Sequence, residues 1–106
     1  MSLPEYLGGD VDYLTTLQTA LAEQWMVDIC YRDKNGLASQ PQVEPIGLAF
    51  YNLAWHLIGW CHLREAYRDF RLTRIERLTL TNRPFQHPQH LTLTAYVASL
   101  NRSPVE

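Results

Sequence analysis

Four arginines fall within eleven residues, at Arg64, Arg68, Arg71 and Arg74. A guanidinium carries a permanent charge and a planar fork of donors. A set of them therefore suits two-pronged binding of phosphate and stacking on bases, where lysine offers only a point charge. Arg77 and Arg83 follow, so residues 64–83 hold six arginines against only Glu65, Asp69 and Glu76. The rest of the chain is acidic, and the net charge of the whole is −2. A cationic patch on an acidic body predicts a localised anionic partner and argues against general coating of DNA. The competing reading is solvated surface charge, each arginine pairing loosely with a neighbouring acid for under about 1 kcal/mol. Any single arginine fits that reading. Four together, at the mouth of the most apolar stretch of the chain, favour binding.

Convergence of the four is not given by spacing. Strict alternation puts Arg71 on one face of a strand and Arg68 with Phe70 on the other. A turn or bulge near Leu72-Thr73 is needed to re-aim Arg74. Among the aromatics, Trp25, Trp55, Trp60, Phe50 and Phe70 read as core. Tyr31 and Tyr67 read as half-wet phenols that could stack on a base.

Other chemistries find little support. The carboxylates are scattered, no serine sits in a nucleophile elbow, and Gly8-Gly9 lacks the strand-to-helix context of a phosphate loop, so no catalysis and no cofactor is expected. His87 and His90 flank Pro88 in a loop. His56 and His62 are six residues apart on one strand, about 20 Å in extended chain, and cannot share an ion. Cys61 points to the opposite face, so no metal site is expected either. Cys30 and Cys61 read as buried thiols in a reducing compartment. With no signal peptide or membrane span legible in the sequence, the expected location is the cytoplasm.

These side chains need elements to hold them. At 106 residues the chain is one domain by length, and 46% hydrophobic with 19% charged content is ordinary for a globular fold. Residues 1–9 read as a linker or disordered lead and residues 10–106 as the domain proper. Asp10 or Asp12 caps a helix over 10–23, whose Val11, Leu14, Leu17 and Leu21 recur at helical spacing beside Ala20. Alternation then takes over: Trp25, Val27, Ile29 and Tyr31 share one strand face. Asp33-Lys34-Asn35-Gly36 is a turn, and 39–42 continues as loop around Pro41. A second strand covers 43–51, with Gly47 permitting a sharp bend. Asn52 closes a hairpin into a third strand over 54–62, apolar on both faces and so expected between the barrel interior and a covering element, the first helix. Fourth and fifth strands cover 66–72 and 75–81, and Asn82-Arg83-Pro84 ends the sheet. A C-terminal segment, 85–100, holds a polar loop and a short closing helix, with strand as the rival for the last piece. The expected class is mainly β: a small five-stranded bent antiparallel barrel, 25–81, with an N-terminal helix and a short C-terminal one.

The motifs, taken in order, are Ile29-Cys30-Tyr31, Glu44-Pro45-Ile46-Gly47-Leu48, Trp55-His56-Leu57, Cys61-His62-Leu63-Arg64 and Arg68-Asp69-Phe70-Arg71-Leu72-Thr73-Arg74-Ile75. Over residues 25–85 this series resembles the WYL domain, and Leu17 to Leu21 looks like the segment preceding it. The resemblance implies an Sm-like or SH3-like barrel of bacterial transcription regulators, usually placed after a winged helix-turn-helix. There it senses a nucleic-acid-type ligand, such as single-stranded DNA or RNA or a nucleotide. It places the family's basic positions on Arg64, Arg68, Arg71 and Arg74. Two departures stand out. His56 occupies the position of the name-giving tyrosine, and Thr73 replaces the usual acid between the last two arginines, removing a partner that would hold Arg74. With no helix-turn-helix before residue 10, the chain is expected to be a fragment, a truncated product or a stand-alone member. The reading is a regulatory binding domain whose rim of Arg64, Arg68, Arg71 and Arg74, with His56, Tyr31 and Tyr67, takes the ligand. The runner-up is an interaction module that forms a homodimer or docks a protein partner.

Overall fold

Alternating burial makes the first strand. In β1 (Trp25–Arg32) Val27, Ile29 and Tyr31 are buried and Arg32 is exposed. The computed structural model describes residues 5–87 and 89–101, with side chains over 12–87 and 89–100. Around β1 stand a helix α1 (Glu5–Glu23) and the strands β2 (Ala38–Ser39), β3 (Gln42–Tyr51), β4 (Ala54–Cys61), β5 (Ala66–Arg71) and β6 (Ile75–Pro84). A 3-10 turn, Leu72–Arg74, joins the last two strands, and a closing helix α2 spans Leu93–Asn101. All pairings are antiparallel. The sheet runs β2-β1-β3-β4-β5, with β6 on the other edge of β1. Among the described residues β5 and β6 do not pair with each other, so the expected five-stranded barrel is a bent half-barrel, with β2 added as a two-residue bridge.

Several boundaries differ from the sequence reading. The helix starts at Glu5, so residues 5–9 are helical and are not a lead; residues 1–4 lie outside the described residues. Each glycine costs about 1 kcal/mol in a helix without forbidding it, and a helix nucleated downstream can propagate back through Gly8 and Gly9. At the other end β6 runs on to Pro84, paired with Trp25, where the sequence had the sheet end at Thr81. Proline is tolerated there because β6 is an edge strand. The segment read as loop at 39–42 carries Ser39, which pairs with Tyr31.

The inner core gathers Leu17 and Ala20 of α1 with Val27, Ile29, Tyr31, Val43, Leu57, Cys61, Phe70, Leu72 and Ile75. The Leu17–Ala20 face of α1 therefore shares one core with the Leu57–Cys61 face of β4. The other face of β4 is covered by something else. Trp60 packs on Tyr67 and His87, with ring centroids 5.1 and 4.5 Å apart. Leu93 of α2 sits so close to Gly47 that a Cβ there would lie 2.8 Å from its Cδ2. Gly47 also stands at the register shift of β3, where the bend was expected. The C-terminal segment thus closes the second face. Burial falls short of expectation in places: Phe50 is 58% exposed at the tip of the β3–β4 hairpin, and Cys30, Trp25, Trp55 and Trp60 are only half-buried.

Candidate ligand pocket

Cross-strand register decides which side chains meet. On the outer face His56 pairs with Arg71, Ile58 with Asp69 and Trp60 with Tyr67. Phe70 and Arg68 point to the opposite face, opposite Leu57 and Gly59. After Arg71 the 3-10 turn carries Arg74 to the same hollow, the re-aiming that a straight strand cannot supply. Tyr31, Tyr51, Asn52, His56, Asp69, Arg71 and Arg74 line a pocket of about 300 Å³.

The hairpin before β4 supplies the pocket's upper wall. Asn52 and Leu53 adopt φ of 50° and 62°, a two-residue reversal of the primed kind that suits twisted strands. Asparagine accepts that conformation readily; leucine does so at a cost. Tyr51, just before the turn, lies flat on His56, with centroids 3.8 Å apart and 12° between planes. Its hydroxyl donates to Asp69 Oδ2. His56 is 6% exposed, and its Nδ1 donates to the Ala54 carbonyl at 3.1 Å, which leaves Nε2 as the acceptor. Burial first, then the Arg71 and Arg74 guanidinium groups, hold the imidazole pKa below the ordinary histidine value, against the Ala54 carbonyl that raises it. Protonation of the pocket's histidine is thereby disfavoured, and the pocket's permanent cations are the two arginines.

Asp69 is the pocket's only carboxylate. Its Oδ1 is buried without a hydrogen-bond partner, and burial pushes its carboxyl above the ordinary aspartate value. Among the described residues neither Arg71 nor Arg74 is ion-paired; the arginine ion pairs are Arg32 with Glu76 and Arg83 with Asp28. The loose pairings expected of Glu65, Asp69 and Glu76 with the four arginines do not form.

The remaining expected site residues lie elsewhere. Arg68 sits over the Phe70 ring, 4.7 Å from its centroid. Arg64 is exposed in the turn after β4, and both it and Arg68 help hold the Asp33 carboxyl below its ordinary value, after the leading Leu37 backbone hydrogen bond. Tyr31 is not half-wet: it is 5% exposed and set edge-on against Phe70. Its hydroxyl is spent as acceptor for the Arg71 backbone N–H, so it positions Arg71 and cannot stack on a base. Tyr67 lies at the far end of the outer face, bonded through its hydroxyl to His90 Nδ1 at 2.8 Å and to the Leu91 N–H at 3.0 Å. Sequence reasoning missed Tyr51, Asn52 and Asp69 as pocket walls; the hairpin at Asn52 was the available signal for the first two, since a tight turn there must lay Tyr51 beside the start of β4.

That far end holds a second polar cluster. The Glu44 side chain is fully buried and accepts from His62 Nε2 and His90 Nε2, each at 2.7 Å, and from the Gln86 and His87 backbone N–H groups. Burial opposes its ionisation, yet these donors together hold its carboxyl below the ordinary glutamate value. Among the described residues no group of histidine, cysteine and acidic side chains is arranged to hold a metal ion. No described helix is long and apolar enough to cross a membrane.

A family model described as "WYL domain" matches residues 12–80. Among curated proteins, the chain is similar to a DNA-binding transcriptional repressor, CapW of Stenotrophomonas maltophilia, at 32% identity over 72 residues, 65% of this chain and 23% of that protein. It is also similar to Protein PafB of Mycobacterium leprae (strain TN), at 36% identity over 70 residues, 65% of this chain and 21% of that one. A solved structure, Proteasome accessory factor B/C (PafBC) of Arthrobacter aurescens, superposes with a TM-score of 0.68 over 87% of this chain and 14% of that chain; at 21% identity the likeness is one of fold. The chain spans under a quarter of the length of these relatives.

Proposed function

The chain belongs to the WYL-domain family, and from that premise we propose that it is a ligand-sensing regulatory domain taking a nucleic-acid-type anion, single-stranded DNA or RNA or a nucleotide, between Arg71 and Arg74. The context is that of a bacterial transcription regulator, with DNA binding supplied by a helix-turn-helix domain outside this chain. The observation that carries the reading is the convergence of two arginines, neither paired with a carboxylate, on one pocket floored by a neutral imidazole. Arg64, in the turn after β4, and Arg68, on the opposite face of β5, lie outside the pocket and add long-range attraction, which steers an anion without fixing it. Tyr51 offers the outer face of its ring, 41% exposed, as the platform for a base; such stacking contributes about 1–3 kcal/mol per base.

The test is titration of a labelled single-stranded oligonucleotide at two salt concentrations. Two phosphate contacts predict a slope of log affinity against log salt of about −1.4, falling to roughly half in Arg71→Ala or Arg74→Ala. Absence of binding at low salt, or a slope untouched by both variants, sinks the proposal. One observation favours the second reading, an interaction module: Leu53 is 92% exposed beside Phe50 at the hairpin tip. Light scattering separates the two. A stable homodimer, indifferent to oligonucleotide and dispersed by Leu53→Asp, belongs to that alternative.

A further inference from the structure

The pocket's formal charges are few and can be counted. Arg71 and Arg74 contribute two positive charges and Asp69 one negative, while Tyr31, Tyr51, Asn52 and the neutral His56 complete the lining. An anion site that keeps a carboxylate among its arginines does not maximise attraction, so the carboxylate calls for a reason.

We infer that Asp69 tunes this pocket to a singly charged phosphodiester and against a doubly charged phosphate monoester. The inference rests on the reading of the pocket as an anion site and specifies the class of anion. Internal phosphates of a nucleic-acid strand carry one charge each, whereas a terminal phosphate carries about −1.5 to −2 at neutral pH. Two arginines against one carboxylate leave one net positive charge, which matches the first and undercompensates the second.

The geometry keeps Asp69 in that role. Neither arginine pairs with Asp69, so its charge is not cancelled locally before a ligand arrives. The Tyr51 hydroxyl donates to Oδ2 and favours the ionised form, against the burial that raises this carboxyl above the ordinary aspartate value. Oδ1 is buried with no donor, so the charge is poorly screened. Register holds the residue in place, because Asp69 pairs with Ile58 at the centre of β4, two positions from Arg71. Tyr51 links the two halves of the device: the same ring that lies on His56 anchors the carboxylate beneath it.

The experiment compares two small probes on the 106-residue chain: thymidylyl-thymidine, which carries a single phosphodiester, and thymidine 5′-monophosphate. Binding is followed by chemical-shift titration at neutral pH. The wild-type chain is expected to bind the diester at least as tightly as the monoester. Asp69→Asn keeps the shape and an acceptor for Tyr51 but removes the charge. It should shift the ratio toward the monoester on the order of tenfold, because a dianion feels a lost negative charge about twice as strongly as a monoanion does. Glu65→Gln, an exposed acid outside the pocket, should leave the ratio unchanged. A wild-type chain that prefers the monoester, or an unchanged ratio in Asp69→Asn, overturns the inference and leaves the anion site standing. Failure of both probes to bind, with failure of the oligonucleotide, overturns the underlying reading and this inference with it.

Discussion

The outer face of the sheet carries two carboxylates, Glu44 opposite Trp60 and Asp69 opposite Ile58, and they are treated in opposite ways. Glu44 is fully buried, and its two oxygens receive donors from two histidines and two backbone amides. Asp69 receives one hydroxyl, keeps one oxygen without a partner, and sits beside two arginines that do not pair with it. A buried polar group whose bonds are all made rigidifies a fold; one left with unmet potential marks a place where something else binds or where strain is held. The Glu44 cluster is therefore structure, fastening Gln86, His87 and His90 beside Trp60. The Arg71–Arg74 end is where function is to be sought.

The sharpest way to break this comparison is at Glu44. Glu44→Ala strands two imidazoles and two amide donors beneath the C-terminal segment. It should destabilise the fold by roughly 3 kcal/mol, the cost typical of removing one partner of a buried charged network. The denaturant midpoint measures it. A loss below about 1 kcal/mol would mean that the cluster is no more structural than the pocket.

Acid titration separates the two carboxylates by sign. Glu44 has a folded pKa below its unfolded value of 4.5, so its contribution is present above that value and is lost as pH falls through the folded one. Asp69 is raised above its unfolded value of 3.8, so its ionisation costs stability, and the fold regains that part as pH falls. Urea midpoints between about pH 3 and 6 should therefore fall less steeply in Glu44→Gln and more steeply in Asp69→Asn. Slopes that move the same way in both variants would remove the distinction.

How much of this was legible beforehand follows from the range of the interactions involved. Local period showed the buried face of β1, the helix face of Leu17 and Ala20, and the Asp33–Gly36 turn, since each depends on neighbours a few residues away. The bend at Gly47 and the reversal at Asn52 were readable from residue type. The Glu44 cluster was not. Its partners lie 18 to 46 residues along the chain, and no period connects positions so far apart. For the same reason the packing of His87 on Trp60, which covers the other face of β4, was not legible from the sequence. Of the candidate site, Arg71, Arg74, His56 and Tyr31 line one pocket, Tyr31 as a buried wall, while Arg64, Arg68 and Tyr67 fall elsewhere. Counting arginines found the right stretch, but only strand register could say which of them share a face.

A smaller effect tests the pocket end directly. Removing both cations in an Arg71→Ala, Arg74→Ala double variant should leave stability within about 0.5 kcal/mol, because neither side chain has an ionic partner to strand. Oligonucleotide binding should disappear in the same protein. Thermal melting alongside titration gives both answers. A large loss of stability would place these arginines in the scaffold, on a par with Glu44.

The smallest expected change makes the pocket end resemble the other. Thr73 is exposed and stands next to Arg74, at the position where the resemblance to the WYL domain implies an acid. Thr73→Asp would give that guanidinium a carboxylate within reach on the surface, an ion pair that adds under about 1 kcal/mol to stability and is screened by salt. Its effect on binding should be the larger one. A paired arginine must exchange its partner for the phosphate, and the pocket loses its net positive charge, so oligonucleotide affinity should fall severalfold at low salt and converge with the wild type at high salt. If affinity instead rises, the acid orients Arg74 more than it neutralises it, and the unpaired state of the two arginines would not be what equips this end of the sheet to bind.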